Sequence, residues 1–224
     1  RSEAYTKIQI ELEDLNRRFQ NRRIFRPFKF IFNNIDSTSE MRPFLPFFLT
    51  ETVSDFHYSR WPIPALREVI KASKVSGAID LSVSQFLGNT YTNVDVYKDY
   101  IKILSRQFVS PASSFGLKNY TFYLVDSQYI SHIKCYKIRF FPKQRKRELL
   151  LDGEMWVADS VYAIKQISMR MRTGEDVNLV QTISLYNEFT PVKDSVWMLK
   201  KEKIAIYFSK PNGAPGLVAT KTAS

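Results

Sequence analysis

From Asn119 onward apolar and polar side chains alternate in runs, and the runs are broken by clusters of turn-forming residues. The clearest case is LLLDGEMWVADSVYAIKQISM, Leu149 to Met169. Successive side chains of a strand point to opposite faces. Leu149, Leu151, Gly153, Met155 and Val157 therefore share one face, and Asp152 and Glu154 share the other. After Ala158-Asp159-Ser160, whose composition is that of a turn, Ile167, Met169 and Met171 oppose Ser168 and Arg170 in the same way. The spacing predicts a β-hairpin with its acids on the wet side.

Further turn clusters fall at Asp126-Ser127, Lys143-Gln144-Arg145, Thr173-Gly174-Glu175-Asp176 and Pro191-Val192-Lys193-Asp194. Such punctuation predicts an antiparallel meander of about six long strands. One face of that sheet is oily throughout, with Tyr136, Ile138 and Phe140, then Met155 and Val157, Ile167 and Met169, Leu179, Ile183 and Leu185, and finally Ile204, Ile206 and Phe208. Thr6 to Glu13 and Phe47 to Tyr58 read as earlier strands, and Glu68 to Gly77 as a further short strand or, equally, the start of a helix. Asp14 caps a short basic helix that Pro27 ends. Asp95 to Val109 shows helical spacing instead, with Val96, Tyr100, Ile103, Leu104 and Phe108 on one side and Pro111 just beyond. A sheet with one oily face needs a cover, and this helix is the expected one. The fold class expected is α+β, a long curved antiparallel sheet covered by one or a few helices. Residues 1–210 are expected to form a single domain. The stretch 211–224 has the Pro, Gly, Ala and Thr composition of a linker.

A chain of 224 residues with 44% hydrophobic residues can bury a sizeable core. It opens on Arg1 without a signal segment, so a piece of a longer or processed protein is expected. Its apolar runs fall short of the ~20 residues of a membrane-spanning helix, and a soluble fragment is expected. The single Cys135 excludes an internal disulfide, and His57 and His132 are too few for a Cys/His zinc site. A net charge of +11 favours anionic partners.

Candidate chemistry is thin. His132 and Cys135 lie three apart on an expected strand, so their side chains diverge, whereas a nucleophile–base pair needs hydrogen-bond reach. Asp152 and Glu154 share a face and invite a paired-carboxylate or hard-metal reading, but a solvated strand face carries such pairs routinely. No Gly-rich phosphate loop or nucleophile-elbow motif is present. Two basic groups stand out, Arg17, Arg18, Arg22, Arg23 and Arg26, and the run Lys143, Arg145, Lys146 and Arg147. Neither has the exposed, interleaved aromatics of a nucleic-acid reader, so no nucleic acid is expected. The second run is a candidate contact for an anionic lipid surface. Met155, Ile167, Met169 and Leu185 are candidate lining for an apolar groove, because methionine suits irregular apolar surfaces, against the plainer reading of a closed core. No catalytic residue, cofactor or metal site is expected.

The phrases Leu45-Pro46-Phe47-Phe48-Leu49-Thr50-Glu51-Thr52-Val53-Ser54-Asp55, Glu68 to Gly77, Phe108-Val109-Ser110-Pro111, Tyr123-Leu124-Val125-Asp126-Ser127 and Gly153 to Asp159 together resemble an uncharacterised domain of large Bacteroidota outer-membrane proteins. The resemblance runs in order over most of Tyr5 to Phe208. It implies a periplasmic domain between a carboxypeptidase-regulatory-like β-sandwich and a membrane β-barrel, with Gly216 to Thr222 approaching the barrel. The hairpin at Trp156 to Ile167 also resembles that of periplasmic lipoprotein-localisation factors, in which a curved sheet holds acyl chains. The expected function is a non-enzymatic scaffold or binding module, for lipid or another apolar ligand. Its partners would be the rest of the polypeptide and lipid or an envelope protein. The alternative is an enzyme acting on an envelope polymer through the surface carboxylates.

Overall fold

The computed structural model describes residues 2–13, 44–59, 65–77, 94–104, 106–143, 148–171, 180–193, 196–208 and 216–224. Its strands are β1 (Ser2–Glu13), β2 (Phe44–Ser59), β3 (Ala65–Gly77), β4 (Tyr100–Ile103), β5 (Arg106–Val109), β6 (Tyr120–Ile130), β7 (Ile133–Pro142), β8 (Leu151–Ala158), β9 (Ile164–Met171), β10 (Val180–Lys193), β11 (Val196–Phe208) and β12 (Gly216–Ala223). A single turn of helix, α1 (Gly116–Asn119), precedes β6. Ten strands form one antiparallel sheet in the order β3-β2-β1-β12-β11-β10-β9-β8-β7-β6, and β4 and β5 pair separately. No helix among the described residues is long and apolar enough to cross a membrane.

The chain divides into two compact units. In the first, Arg1–Ile79 with Leu179–Gln181 and Ala205–Ser224, β1 pairs with both β2 and β12. Ile8 lies opposite Thr50 and Lys221, and Ile10 opposite Phe48 and Ala219. All six are buried, so this is the unit's dry face. In the second, Asp80–Asn178 with Thr182–Ile204, successive registers align Phe140 with Gly153 and Ile138 with Met155. Met169 then faces Gly153 and Leu185, and Ile167 faces Met155 and Asn187. This inner face is the oily one expected from alternation, and the turn at Ala158-Asp159-Ser160 closes β8 as the composition indicated.

The α+β expectation is overturned, because the described residues are almost wholly β. Asp95 to Val109 is a turn followed by the β4–β5 hairpin, with Tyr100 opposite Val109 and Ile101 opposite Phe108. Burial of Ile101 and Ile103 beside exposed Tyr100 and Lys102 is a period of two. The helical stripe mixed these classes, and β-branched Ile101, Ile103 and Val109 fit a pleated strand better than a helix. Leu104, at positive φ, turns the hairpin. Two turn or linker readings also fail. Asp126-Ser127 lies inside β6, at a bulge, and the reversal comes at Ser131-His132, both with positive φ. The stretch read as a linker contains β12, which the backbone of β1 recruits by pairing. The basic helix from Asp14 lies outside the described residues.

Candidate functional site

The second unit places polar groups where alternation puts apolar ones. Asn187 has the parity of Ile183 and Leu185, and Glu202 that of Ile204, whereas Lys165 sits at the bulge of β9, between Ile164 opposite Val157 and Gln166 opposite Trp156. All three are buried. A buried polar atom without a partner costs about 1–3 kcal/mol, so its partners show what the site does. Glu202 Oε2 accepts the Val94 N–H at 3.1 Å, and Asn187 Nδ2 donates to the Val94 carbonyl at 3.4 Å. Lys165 Nζ donates to the Phe189 carbonyl at 2.9 Å, with Glu188 Oε1 at 3.9 Å.

Val94 begins the strap that carries β4 and β5, and further bonds tie the strap down. The Tyr97 hydroxyl accepts the Ile164 N–H at 2.9 Å, while its ring meets Phe189 edge-on at 5.9 Å. Burial pushes the Tyr97 phenol upward, and the bond from Ile164 opposes this only in part. Ser110 donates its hydroxyl to the Val96 carbonyl. At the far end the Val109 N–H reaches Leu149 O at 3.0 Å. Tyr120 hydroxyl bridges, donating to Val109 O at 2.6 Å and accepting from Leu151 N at 3.2 Å. The strap is thus anchored to β9, β10 and β11 at one end and to the start of β8 at the other. Its Val96, Ile101, Ile103 and Phe108 side chains are buried. In place of the expected helix, the described residues form this hairpin with its apolar side chains buried.

The four groove residues come together on one face, and Met155, Ile167, Met169 and Leu185 expose 8%, 0%, 2% and 2% of their surface. Asp152 and Glu154 share the outer face. Glu154 meets Lys137 at 3.0 Å and Arg139 at 3.8 Å, and Asp152 meets Arg170 at 3.6 Å. Lys137 also stands 5.4 Å from the centroid of the Trp156 ring, an outer-face side chain that is half-buried, as Trp197 is. His132 is exposed in its turn. Cys135 is buried, its thiol directed at the Ile133 carbonyl at 3.4 Å, and burial pushes the thiol upward while Lys165 pulls it partly back. A raised thiol is a poor nucleophile at neutral pH. Lys143 donates to the Leu117 carbonyl at 2.7 Å, and Arg145, Lys146 and Arg147 lie outside the described residues. Among the described residues no three His, Cys, Asp or Glu side chains assemble as a metal site would require.

Lys165, Asn187 and Glu202 were not singled out from the sequence. For Asn187 and Glu202 the available signal was a polar residue in phase with an apolar stripe.

Residues 1–212 match the model of a family of unknown function, DUF5686. The chain belongs to that family. No curated protein matches the chain. Among solved structures, it is similar to a domain from Vibrio parahaemolyticus described as an outer membrane lipoprotein-sorting protein. The identity is 10% and the TM-score 0.33, over 100% of this chain and 83% of that one. It is also similar to a DUF1329 family protein from Desulfovibrio piger, at 10% identity and a TM-score of 0.29, over 98% of this chain and 83% of that one. At such identity no residue role transfers from either structure to this member of the family.

Proposed function

We propose that this chain is a non-enzymatic scaffold module of an outer-membrane protein, lying on the periplasmic side and holding neighbouring parts of the same polypeptide. The placement rests on the phrases from Leu45 to Asp159 that resemble the Bacteroidota domain. The scaffold role is carried by one observation. The apolar face of the second unit is closed over Met155, Ile167, Met169 and Leu185, and the buried Asn187 and Glu202 side chains on it both bond to the Val94 backbone. Outside, the carboxylates that an enzyme would use are matched by Lys137, Arg139 and Arg170. Neither a cofactor nor nucleic acid enters this reading.

A polar insertion separates scaffold from lipid carrier. In a closed core Met169→Gln leaves an amide buried without partners and costs roughly 1–3 kcal/mol by chemical denaturation. The parent is then expected to bind no fluorescent fatty acid. A variant of unchanged stability that weakens acyl-probe binding by the parent would establish a lipid carrier instead. Native mass spectrometry of the gently purified full-length protein gives an independent check, with a co-purifying protein expected and a retained lipid against the proposal. Hydrolysis of an envelope polymer that is lost in Asp152→Asn or Glu154→Gln would make the domain an enzyme.

A further inference from the structure

The two outermost strands of the sheet order, β3 and β6, each pair with a neighbour on one side only among the described residues. An unpaired edge is a template for another strand, and proteins usually guard it with charge, above all lysine. Strand β3 follows that practice, carrying Arg67, Glu68, Lys71 and Lys74. Strand β6, Tyr-Thr-Phe-Tyr-Leu-Val-Asp-Ser-Gln-Tyr-Ile, contains no Lys, Arg or Pro, although the chain has 33 Lys and Arg residues and a net charge of +11. Its Tyr123, Leu124, Val125 and Tyr129 are between 52% and 73% exposed. An apolar edge free of basic residues is the stretch on which two such chains can meet without adding to their mutual repulsion.

The bulge in β6 decides what this edge can pair with. Up to Leu124 the even residues turn to the inner face, Phe122 opposite Phe140 and Leu124 opposite Ile138. Beyond Val125 the odd residues do so, Ser127 opposite Tyr136 and Tyr129 opposite Lys134. Residues facing each other in an antiparallel pair must share both the face and the hydrogen-bonding direction. An antiparallel match of β6 with itself meets both conditions when Ser127 faces Ser127, because the two bulges fall symmetrically about that point. Asp126 then faces Gln128, a carboxylate against an amide donor, and the two Asp126 side chains avoid each other. Leu124 faces Tyr129 on the inner side and Tyr123 faces Ile130 on the outer. Each pairing occurs twice, as a self-complementary two-fold contact requires.

We propose that the free edge of β6 pairs antiparallel with the same edge of a second copy of this chain, about a two-fold axis at Ser127. Sedimentation velocity of the 224-residue chain should show a reversible, concentration-dependent dimer. Leu124→Lys places an ammonium on an already exposed edge position, so folding should be kept while self-association weakens by at least about tenfold. Register has its own readout. In a Cys135→Ser background, Ser127→Cys should form an intermolecular disulfide under mild oxidation, because facing residues of an antiparallel pair lie within disulfide reach. Tyr129→Cys should not link to itself but should link to Leu124→Cys in a mixture. A parent chain that remains monomeric at its highest concentration, or a dimer indifferent to Leu124→Lys, overturns the proposal. Protection of the β6 amides from hydrogen exchange in a monomeric full-length protein would also overturn it, assigning the edge to another segment of the polypeptide.

Discussion

The inner and outer faces of the second unit both carry polar groups, and they use them differently. Inside, Glu202 and Asn187 are removed from water and both bond to the backbone of Val94. Outside, Glu154 meets Lys137 and Arg139, Asp152 meets Arg170, and Glu188 meets Lys200 at 3.0 Å. Removing one partner of a buried group strands the other, while exposed pairs contribute about 0–1 kcal/mol each. The inner groups therefore set where the strap lies. The outer ones keep a strand face soluble.

The comparison is tested hardest at Gly153, on the inner face between Phe140 and Met169. A Cβ there would stand 2.0 Å from the Ser168 carbonyl oxygen and 3.0 Å from the Met169 Cα. Backbone cannot withdraw as a side chain can. Gly153→Ala should therefore cost more than about 3 kcal/mol and lower the yield of folded protein, as measured by urea denaturation.

Next in size is Glu202→Ala. It deprives the buried Val94 N–H of its acceptor and should cost about 2–3 kcal/mol. Hydrogen exchange should show the loss concentrated in the strap, at the amides of Val96 to Val109. Equal loss throughout the second unit would mean that Glu202 supports the core at large rather than the strap.

Tyr97 sharpens the same point through pH. Its phenol is raised in the folded chain, chiefly by burial, so the folded state holds the proton more tightly than the unfolded state does. The corresponding stability is complete below about pH 10, the ordinary phenol value, and is lost as pH rises through the higher folded value. Tyr97→Phe should reduce the alkaline decline in denaturation midpoint relative to the parent. An identical decline in both would place the alkaline sensitivity at other tyrosines, such as Tyr186, whose phenol is also raised chiefly by burial.

The smallest effect is expected outside. Glu154→Gln removes one charge from a partly exposed cluster and should change stability by less than about 1 kcal/mol, with the difference shrinking further in high salt. A larger loss would show that the outer face also sets geometry, and the contrast between the faces would fail.

The sequence alone determined the alternation of β7 to β11, the turn at Ala158-Asp159-Ser160, and which side of each strand is apolar. All of this follows from a local period of two, which backbone geometry imposes whatever the strand's partner. Tertiary structure decided what the local pattern left open. Asp95 to Val109 has spacing that accommodates a helix, but pairing of Ile101 with Phe108 and anchoring of Val94 and Tyr97 to the sheet make it a strap. Gly216 to Ala223 resembles a linker in composition and becomes a strand because β1 offers it a hydrogen-bonding edge. Asn187 and Glu202 occupy apolar positions, where the distant Val94 backbone bonds to both. Side-chain parity is written along the chain, whereas the partner of a strand edge or of a buried polar atom lies across it.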